Sequence, residues 1–232
     1  MMNELLAGLR SLDWSPLWIS LKTAVVTTII CFFLGIFLAR KVMKLSSPWD
    51  NFIDGLLTLP MVLPPTVAGF FLLLLFSKRR PFGIFLFEHF GIKVVQSFLG
   101  CVVAATVISL PLMYRNARSA FALVPKDLVY AGRTLGMSEF SIFWKIIVPL
   151  SAPGIFSGTV LSFARALGEY GATSMLAGNI PGKTATISQR IALVMQDQDY
   201  ATAGFWVMVV LFLSFGILTL YQFATEEKRY KG

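Results

Sequence analysis

Long apolar runs, separated by short polar and basic stretches, dominate this chain. Five of them reach the length of about 20 residues that a helix needs to cross the hydrocarbon core of a bilayer. The fifth run contains no charged residue. The pattern predicts an all-α, polytopic membrane protein with five transmembrane helices, and it leaves a sixth span or a re-entrant segment open. The predicted spans are residues 16–39, 52–76, 94–113, 147–177 and 204–223.

The second span is unusual because it contains Pro60, Pro64 and Pro65. These prolines cannot all lie in a regular helix, since each lacks an N–H donor and clashes with the preceding turn. Irregular backbone at membrane depth persists only where protein covers it or where it lines a water-filled cavity. We therefore predict that the three prolines line a pathway through the protein, with a kinked packing helix as the alternative.

Two further apolar stretches are too short or too polar to cross a membrane. Residues 81–92 are predicted to lie at the outer interface. Residues 1–15 are predicted to form an interfacial segment, with Trp14 and Trp18 at the level of the lipid headgroups.

Composition supports a membrane location. Of the 232 residues, 56% are hydrophobic and only 14% are charged, and the mean hydropathy is +0.73. A soluble domain has about 25% charged residues. The net charge of +8 comes from basic residues between the apolar runs, where membrane topology places them. No nucleic-acid partner is expected, although attraction of an anionic solute stays open.

The basic residues also indicate an orientation. Arg40, Lys41 and Lys44 follow the first apolar run, whereas a cleaved signal peptide carries its positive charge before that run. Counting lysines and arginines on either side favours an outside N-terminus and a cytoplasmic C-terminal tail over residues 225–232. The membrane domain is then residues 16–224.

Few residues are suited to metal binding or catalysis. Cys31, Cys101 and the single histidine, His89, are too few for a disulfide framework, a metal site or a catalytic pair. Residues 178–184, GNIPGKT, have three residues where a P-loop needs four. We predict no metal, no cofactor and no ATPase site in this chain, so that energy for any transport must come from a partner.

The cytoplasmic loop over residues 114–147 carries the strongest functional signal. Residues 126–135 can form a helix that Gly136 ends, and Ser138 can begin a second short helix that runs to about Ile147. Pro149 then begins the next span. The small Ala131 and Gly132 would let a partner approach this elbow, and the apolar Leu128, Leu135 and Phe140 could fill a groove on it. An ordinary amphipathic connector is the alternative.

Residues 130–136, YAGRTLG, and the closing IVPL resemble the EAA loop of ABC importer permeases. Tyr130 stands where that family usually has glutamate, and Gly132 replaces its second alanine. The resemblance implies that the short helix docks on a separate ATPase subunit. The implied ATPase-coupling residues are Tyr130, Ala131, Gly132, Arg133, Leu135, Gly136 and Pro149.

Residues 59–83 and 161–191 resemble molybdate permeases, and sulfate permeases share much of the R-A-L-G-E-Y-G stretch. The resemblance implies the type I ABC importer permease fold in the inner membrane of a prokaryote. It also implies a second copy of the chain, two ATPase subunits that bind ATP and Mg, and an extracytoplasmic molybdate-binding protein. Sulfate or tungstate transport is the alternative within the family. A membrane-embedded enzyme or a structural membrane protein is the alternative from another class.

Three features of the fourth span and of the loop after it are candidate sites. Arg165 and Glu169, four residues apart, are predicted to line the pathway and to neutralise each other. Small residues spaced four apart, such as Gly154 and Gly158, predict close helix packing, either within one subunit or in a dimer. The loop residues Gly178, Asn179, Pro181 and Gly182 are predicted to contact the binding protein, with a plain structural turn as the alternative.

Overall fold

Helices account for most of the structure, a computed structural model that describes residues 13–229, with side chains through residue 219. The described residues contain no strand, which confirms the all-α prediction. The helices are α1 (Ser15–Val42), α2 (Ser47–Val62), α3 (Pro65–Phe76), α4 (Pro81–Phe90), α5 (Phe98–Ala122), α6 (Lys126–Thr134), α7 (Glu139–Leu167), α8 (Gly171–Ala177), α9 (Ile187–Gln196) and α10 (Tyr200–Arg229).

Within that described part of the chain, four helices are long and apolar enough to cross a membrane. They are α1, α5, α7 and residues Tyr200–Thr219 of α10. The pair α2 and α3 makes a fifth candidate when the bent pair counts as one span. The helix α4 is too short to cross, in keeping with the prediction for residues 81–92.

Helix α5 lies at the centre of the bundle, packed between α1 and α7. A Cβ on Gly35 of α1 would lie 2.7 Å from Met113 Cγ, and a Cβ on Gly154 of α7 would lie 2.5 Å from Ala120 Cβ. A Cβ on Gly158 would likewise lie 2.8 Å from Asn116 Cβ of α5. The small residues at 154 and 158 therefore serve packing within one subunit, which decides between the two alternatives.

The second predicted span is not a single helix. The chain bends by 112° between α2 and α3, with Leu63 and Pro64 in extended backbone at the bend. Pro60 lies inside α2, and Pro65 begins α3. The bend arises because a residue that precedes a proline avoids the helical region, and here two prolines stand in succession.

The fourth predicted span, residues 147–177, has different bounds. Helix α7 begins at Glu139 and contains a π-helical stretch over Phe143–Ile147. Pro149 therefore does not begin the span but lies within it, where the wider preceding turn accommodates its ring and missing donor. The helix ends at Leu167, and α8 is a separate short helix.

The remaining boundaries differ by a few residues. Helix α5 runs over Phe98–Ala122 rather than 94–113, because the Ser97 hydroxyl caps its first turn and the helix continues past the basic Arg115 and Arg118. Helix α10 extends to Arg229, beyond the predicted end at residue 223. Most of the predicted interfacial segment, residues 1–12, lies outside the described residues. Trp14 packs edge-on against Phe205 and Trp206 of α10.

Candidate functional site

The loop between α5 and α7 folds as an elbow. Gly136 has a φ of +74°, the left-handed conformation that glycine adopts without a steric penalty. Its N–H donates to the Arg133 carbonyl, and the Met137 N–H donates to the Gly132 carbonyl, each at 3.0 Å. These two bonds form a Schellman motif. The predicted helix and its glycine stop are thus confirmed to within one residue.

An ion pair joins the two arms of the elbow. Helix α7 begins after Ser138, whose hydroxyl accepts a hydrogen bond from the Ser141 N–H. Glu139 at the start of α7 accepts from Arg133 near the end of α6, with Nε and Oε1 2.7 Å apart. The carboxylate raises the pKa of Arg133 above its already high usual value. Sequence reasoning missed this pair, since its partners stand six residues apart across a turn.

Gly132 was predicted to let a partner approach the elbow, and the structure gives its small size a different role. Rather than admitting a partner, Gly132 is buried against α7, where a Cβ would lie 3.1 Å from Ile146 Cδ1 and 3.2 Å from Ile142 Cγ1. The small residue permits α6 to fold back on α7. Ala131, the neighbouring small residue, is exposed.

The predicted coupling residues Tyr130 and Leu135, and Phe140, which was predicted to fill a partner's groove, are exposed apolar residues of the elbow. Leu135 is 80% exposed, Phe140 68% and Tyr130 55%, although all three side chains are largely apolar. Exposed apolar patches are typical of surfaces that contact another protein or a membrane. We call this patch the elbow surface, formed by Leu128, Tyr130, Ala131, Leu135 and Phe140. Pro149 lies farther along α7, beyond the π-helical stretch, and is not part of it.

A second polar cluster fixes α2 to α5 near the elbow. The Arg118 guanidinium donates to Asp50 Oδ2 and to Asp54 Oδ1, each at 2.8 Å. The Tyr114 hydroxyl donates to the same Asp54 oxygen at 2.9 Å. Sequence reasoning missed this cluster. Its signal was present in two carboxylates four residues apart on α2 and in an arginine and a tyrosine four residues apart on α5.

The two breaks in the helices pack against each other. A Cβ on Gly171, at the start of α8, would lie 3.0 Å from Pro65 Cβ, and a Cβ on Gly69 of α3 would lie 2.7 Å from Ala172 Cα. Beside this contact lies a cavity of about 210 Å³. It is lined by Pro60, Met61, Leu63, Pro65, Ile108, Leu112 and Arg165.

This cavity brings together three of the five residues predicted to line the pathway, namely Pro60, Pro65 and Arg165. Pro64 lies at the bend but does not line the cavity. Glu169 is buried behind it, with Oε2 2.7 Å from Arg165 Nη1 and Oε1 accepting from the Ala172 N–H at 2.8 Å. The arginine side chain keeps 32% of its surface exposed, so it presents a largely neutralised positive group to the cavity.

The loop with the GNIPGKT sequence is a compact turn at the other end of α5. The Thr184 hydroxyl is buried and donates to the Gly178 carbonyl at 3.3 Å, and the Thr184 carbonyl accepts from the Cys101 thiol at 3.6 Å. Gly178 is half-buried in this turn, while Asn179, Pro181 and Gly182 are exposed. Three of the four predicted contact residues are therefore accessible to a partner.

This chain is similar to known membrane transport proteins in sequence and in fold. Residues 31–231 match the family described as "Binding-protein-dependent transport system inner membrane component". The Molybdenum transport system permease protein ModB of Escherichia coli (strain K12) is 41% identical over 184 residues, which cover 79% of this chain and 80% of that protein.

The Sulfate transport system permease protein CysT of Salmonella typhimurium is 31% identical over 242 residues, which cover 99% of this chain and 86% of that protein. Among solved structures, an inward-facing MetNI methionine ABC transporter chain has a TM-score of 0.68 at 15% identity, covering 91% of this chain and 94% of that one. That likeness shows the fold.

The family match extends over most of the chain, from within α1 to the end of α10, and so includes both the elbow and the cavity. The protein thus belongs to the family of binding-protein-dependent transport system inner membrane components.

Proposed function

We propose that this chain is the permease subunit of an ABC importer that moves molybdate across the cytoplasmic membrane, driven by ATP hydrolysis in a partner subunit. The similarity to the permease protein ModB, at 41% identity over about four fifths of both chains, supports the substrate. One observation carries the coupling: α7 runs as one continuous helical element, which includes the π-helical stretch, from the elbow to Arg165.

Helix α7 can transmit movement because its first turns are fixed to α6. At Glu139 it is bound to α6 through the ion pair, and Ile142 and Ile146 pack on Gly132. From Glu139 to Arg165 a helix rises about 40 Å. A displacement of the elbow by a partner is therefore carried by a single packed element to the cavity, which meets the requirement for a rigid part with two positions.

The cavity beside the helix breaks is the proposed pathway. Its lining is apolar apart from Arg165, whose charge Glu169 offsets. A free arginine would hold a dianion firmly through several charge-assisted hydrogen bonds, and this would slow its release. A neutralised arginine gives an oxyanion a weak contact, which suits a residue that the anion must pass.

The elbow surface is the proposed docking site for an ATPase subunit, and it faces the cytoplasm in the orientation that the basic residues favour. The N-terminus then lies outside. The exposed loop residues Asn179, Pro181 and Gly182 lie near the opposite end of α5, on the side available to an extracytoplasmic binding protein. The proposed complex contains two copies of this chain and two ATPases, which hold ATP and Mg.

Sulfate is the second candidate substrate, favoured by the similarity to the permease protein CysT across 99% of this chain. Tungstate has nearly the same size and charge as molybdate. The permease therefore discriminates poorly between those two, and selectivity resides in the binding protein.

Reconstitution in liposomes tests the proposal. The chain is combined with its ATPase and its binding protein, and ATP-dependent uptake of labelled molybdate, tungstate and sulfate is measured. We expect uptake of molybdate and tungstate and little uptake of sulfate. Uptake of sulfate alone would establish the second candidate, and uptake of none of the three would refute the function.

A further inference from the structure

A large apolar groove lies between α1 and α7, next to the elbow and away from the proposed pathway. Its volume is about 530 Å³, within the range of about 300–1,000 Å³ that is typical of small-molecule sites. Aromatic rings line much of it, and several remain open to the surroundings: Phe33 is 67% exposed, Phe37 54% and Trp144 52%. The Thr159 hydroxyl in the lining already donates to the Ile155 carbonyl.

Two cations stand at the elbow end of this groove, each over a ring that lines it. The Arg40 guanidinium lies 3.7 Å from the centre of the Phe143 ring, and Lys41 Nζ lies 5.6 Å from that of Phe37. Among the described carboxylates none forms an ion pair with Arg40, because Glu139, which lies close by, is engaged by Arg133. The groove thus has an apolar body and a positively charged end at the membrane boundary.

We infer that this groove binds an anionic phospholipid of the elbow-side leaflet. An acyl chain occupies the aromatic channel, and the phosphate lies between Arg40 and Lys41. Arginine and lysine are attracted to anionic headgroups near the membrane surface, whereas the ammonium group of a zwitterionic lipid is repelled by the same cations.

The lining also argues against a transmembrane helix of a second copy as the occupant. Helices pack closely in a membrane where small residues let their backbones approach. On α7 the small Gly154 and Gly158 are already used against α5. The groove instead presents bulky rings such as Phe33 and Phe37, which an adaptable acyl chain can fit between.

The Arg40 contacts give the lipid a route to the elbow. Arg40 Nη2 lies 3.5 Å from the Glu139 carbonyl oxygen at the start of α7. A phosphate on Arg40 would hold this side chain over Phe143, beside the π-helical stretch. Bound lipid therefore stabilises the junction at which the elbow joins the span.

Trp144 supplies a probe of occupancy, since it lines the groove. The full chain is reconstituted in vesicles of phosphatidylcholine that contain brominated phosphatidylglycerol or brominated phosphatidylcholine. Quenching specific to Trp144 is the difference between the wild-type protein and Trp144→Phe. We expect the brominated anionic lipid to quench this signal at a severalfold lower mole fraction than the zwitterionic lipid.

Variants separate a built site from general attraction to the surface. Arg40→Gln and Lys41→Gln should each lower the anionic preference about fivefold, as expected for one cation near a headgroup. Lys22→Gln, which removes an exposed cation elsewhere on α1, should leave it unchanged. Ala152→Phe fills the groove without altering charge and should abolish quenching of Trp144 by either lipid.

Three results would overturn the inference. The first is equal quenching by the two brominated lipids in the wild-type protein. The second is a preference that Lys22→Gln reduces as much as Arg40→Gln does, because that would indicate surface attraction only. The third is a Trp144 signal that no brominated lipid quenches, because a second copy of the chain or another segment would then cover the groove.

Discussion

Replacing Gly136 with valine should uncouple the elbow without disturbing the rest of the bundle. A Cβ at this position would meet nothing within 4 Å, so the effect arises from the backbone and not from a clash. The φ of +74° costs an L-residue roughly 1–2 kcal/mol, and a β-branched residue at least as much. Since 1.4 kcal/mol is about a factor of ten, the capped elbow should lose about five- to thirty-fold in population relative to uncapped alternatives.

The assay has two readings: association of the purified chain with its ATPase, and molybdate transported per ATP hydrolysed. We expect Gly136→Val to weaken both, and Gly136→Asn to stay near the wild type because asparagine tolerates the left-handed region. Gly182→Val is a matched control, since Gly182 has a φ of +70° and equally open surroundings in the loop at the other end of α5. It should spare ATPase association. Equal behaviour of the Val and Asn variants at 136, or equal loss of association at 182, would refute the reasoning.

Three further predictions concern the helix breaks and the start of α10. Gly69→Ala should destabilise the protein by about 1–3 kcal/mol, because the added Cβ would lie 2.7 Å from the backbone of α8. Gly55→Ala is the control and should not destabilise it, since a Cβ there meets nothing within 4 Å. Thermal unfolding in detergent compares the two variants. Glu169→Gln should lower the unfolding temperature less than Glu169→Leu does. Both variants leave Arg165 without its carboxylate partner, but glutamine keeps an oxygen that accepts from the α8 backbone. Equal losses of unfolding temperature would contradict this. Hydrogen bonds from Thr202 hold the pKa of Asp199 below its usual value, so its stabilisation is present above the ordinary aspartate pKa and is lost as pH falls through the lowered one. Asp199→Asn should therefore flatten the acidic part of the curve of unfolding temperature against pH, and an unchanged curve would exclude this role.

The break geometry also bears on how such a permease could change state. Helices α3 and α8 meet through glycines and alanines, so they approach closely and leave little freedom to slide. The ion cluster of Arg118 with Asp50 and Asp54 fixes α2 to α5 in a similar way. The extended backbone at Leu63 and Pro64 is the irregular point between these two packed regions.

The features that the sequence determined by itself are those set by local chemistry. Uninterrupted apolar runs require a helix in a bilayer, because each backbone polar group must be satisfied within its own segment. The glycine stop at 136 and the cap at Ser138 are likewise local, since they depend on a few consecutive residues. These signals predicted the membrane fold and the elbow.

The tertiary structure alone decided how those elements combine. Whether Gly132 served a partner or an internal contact depended on the distance to Ile142 and Ile146 of α7, which no spacing along the chain reveals. The Arg118 cluster joins residues more than 60 positions apart, and ion pairing between them requires that α2 already lie on α5. The three prolines predicted a break in the second span. The 112° bend there, and its contact with the second break between α7 and α8, follow from packing. Packing depends on the shapes of surfaces that come together from distant parts of the chain. The hydrophobic pattern indicates which residues are removed from water, but not which residues they contact.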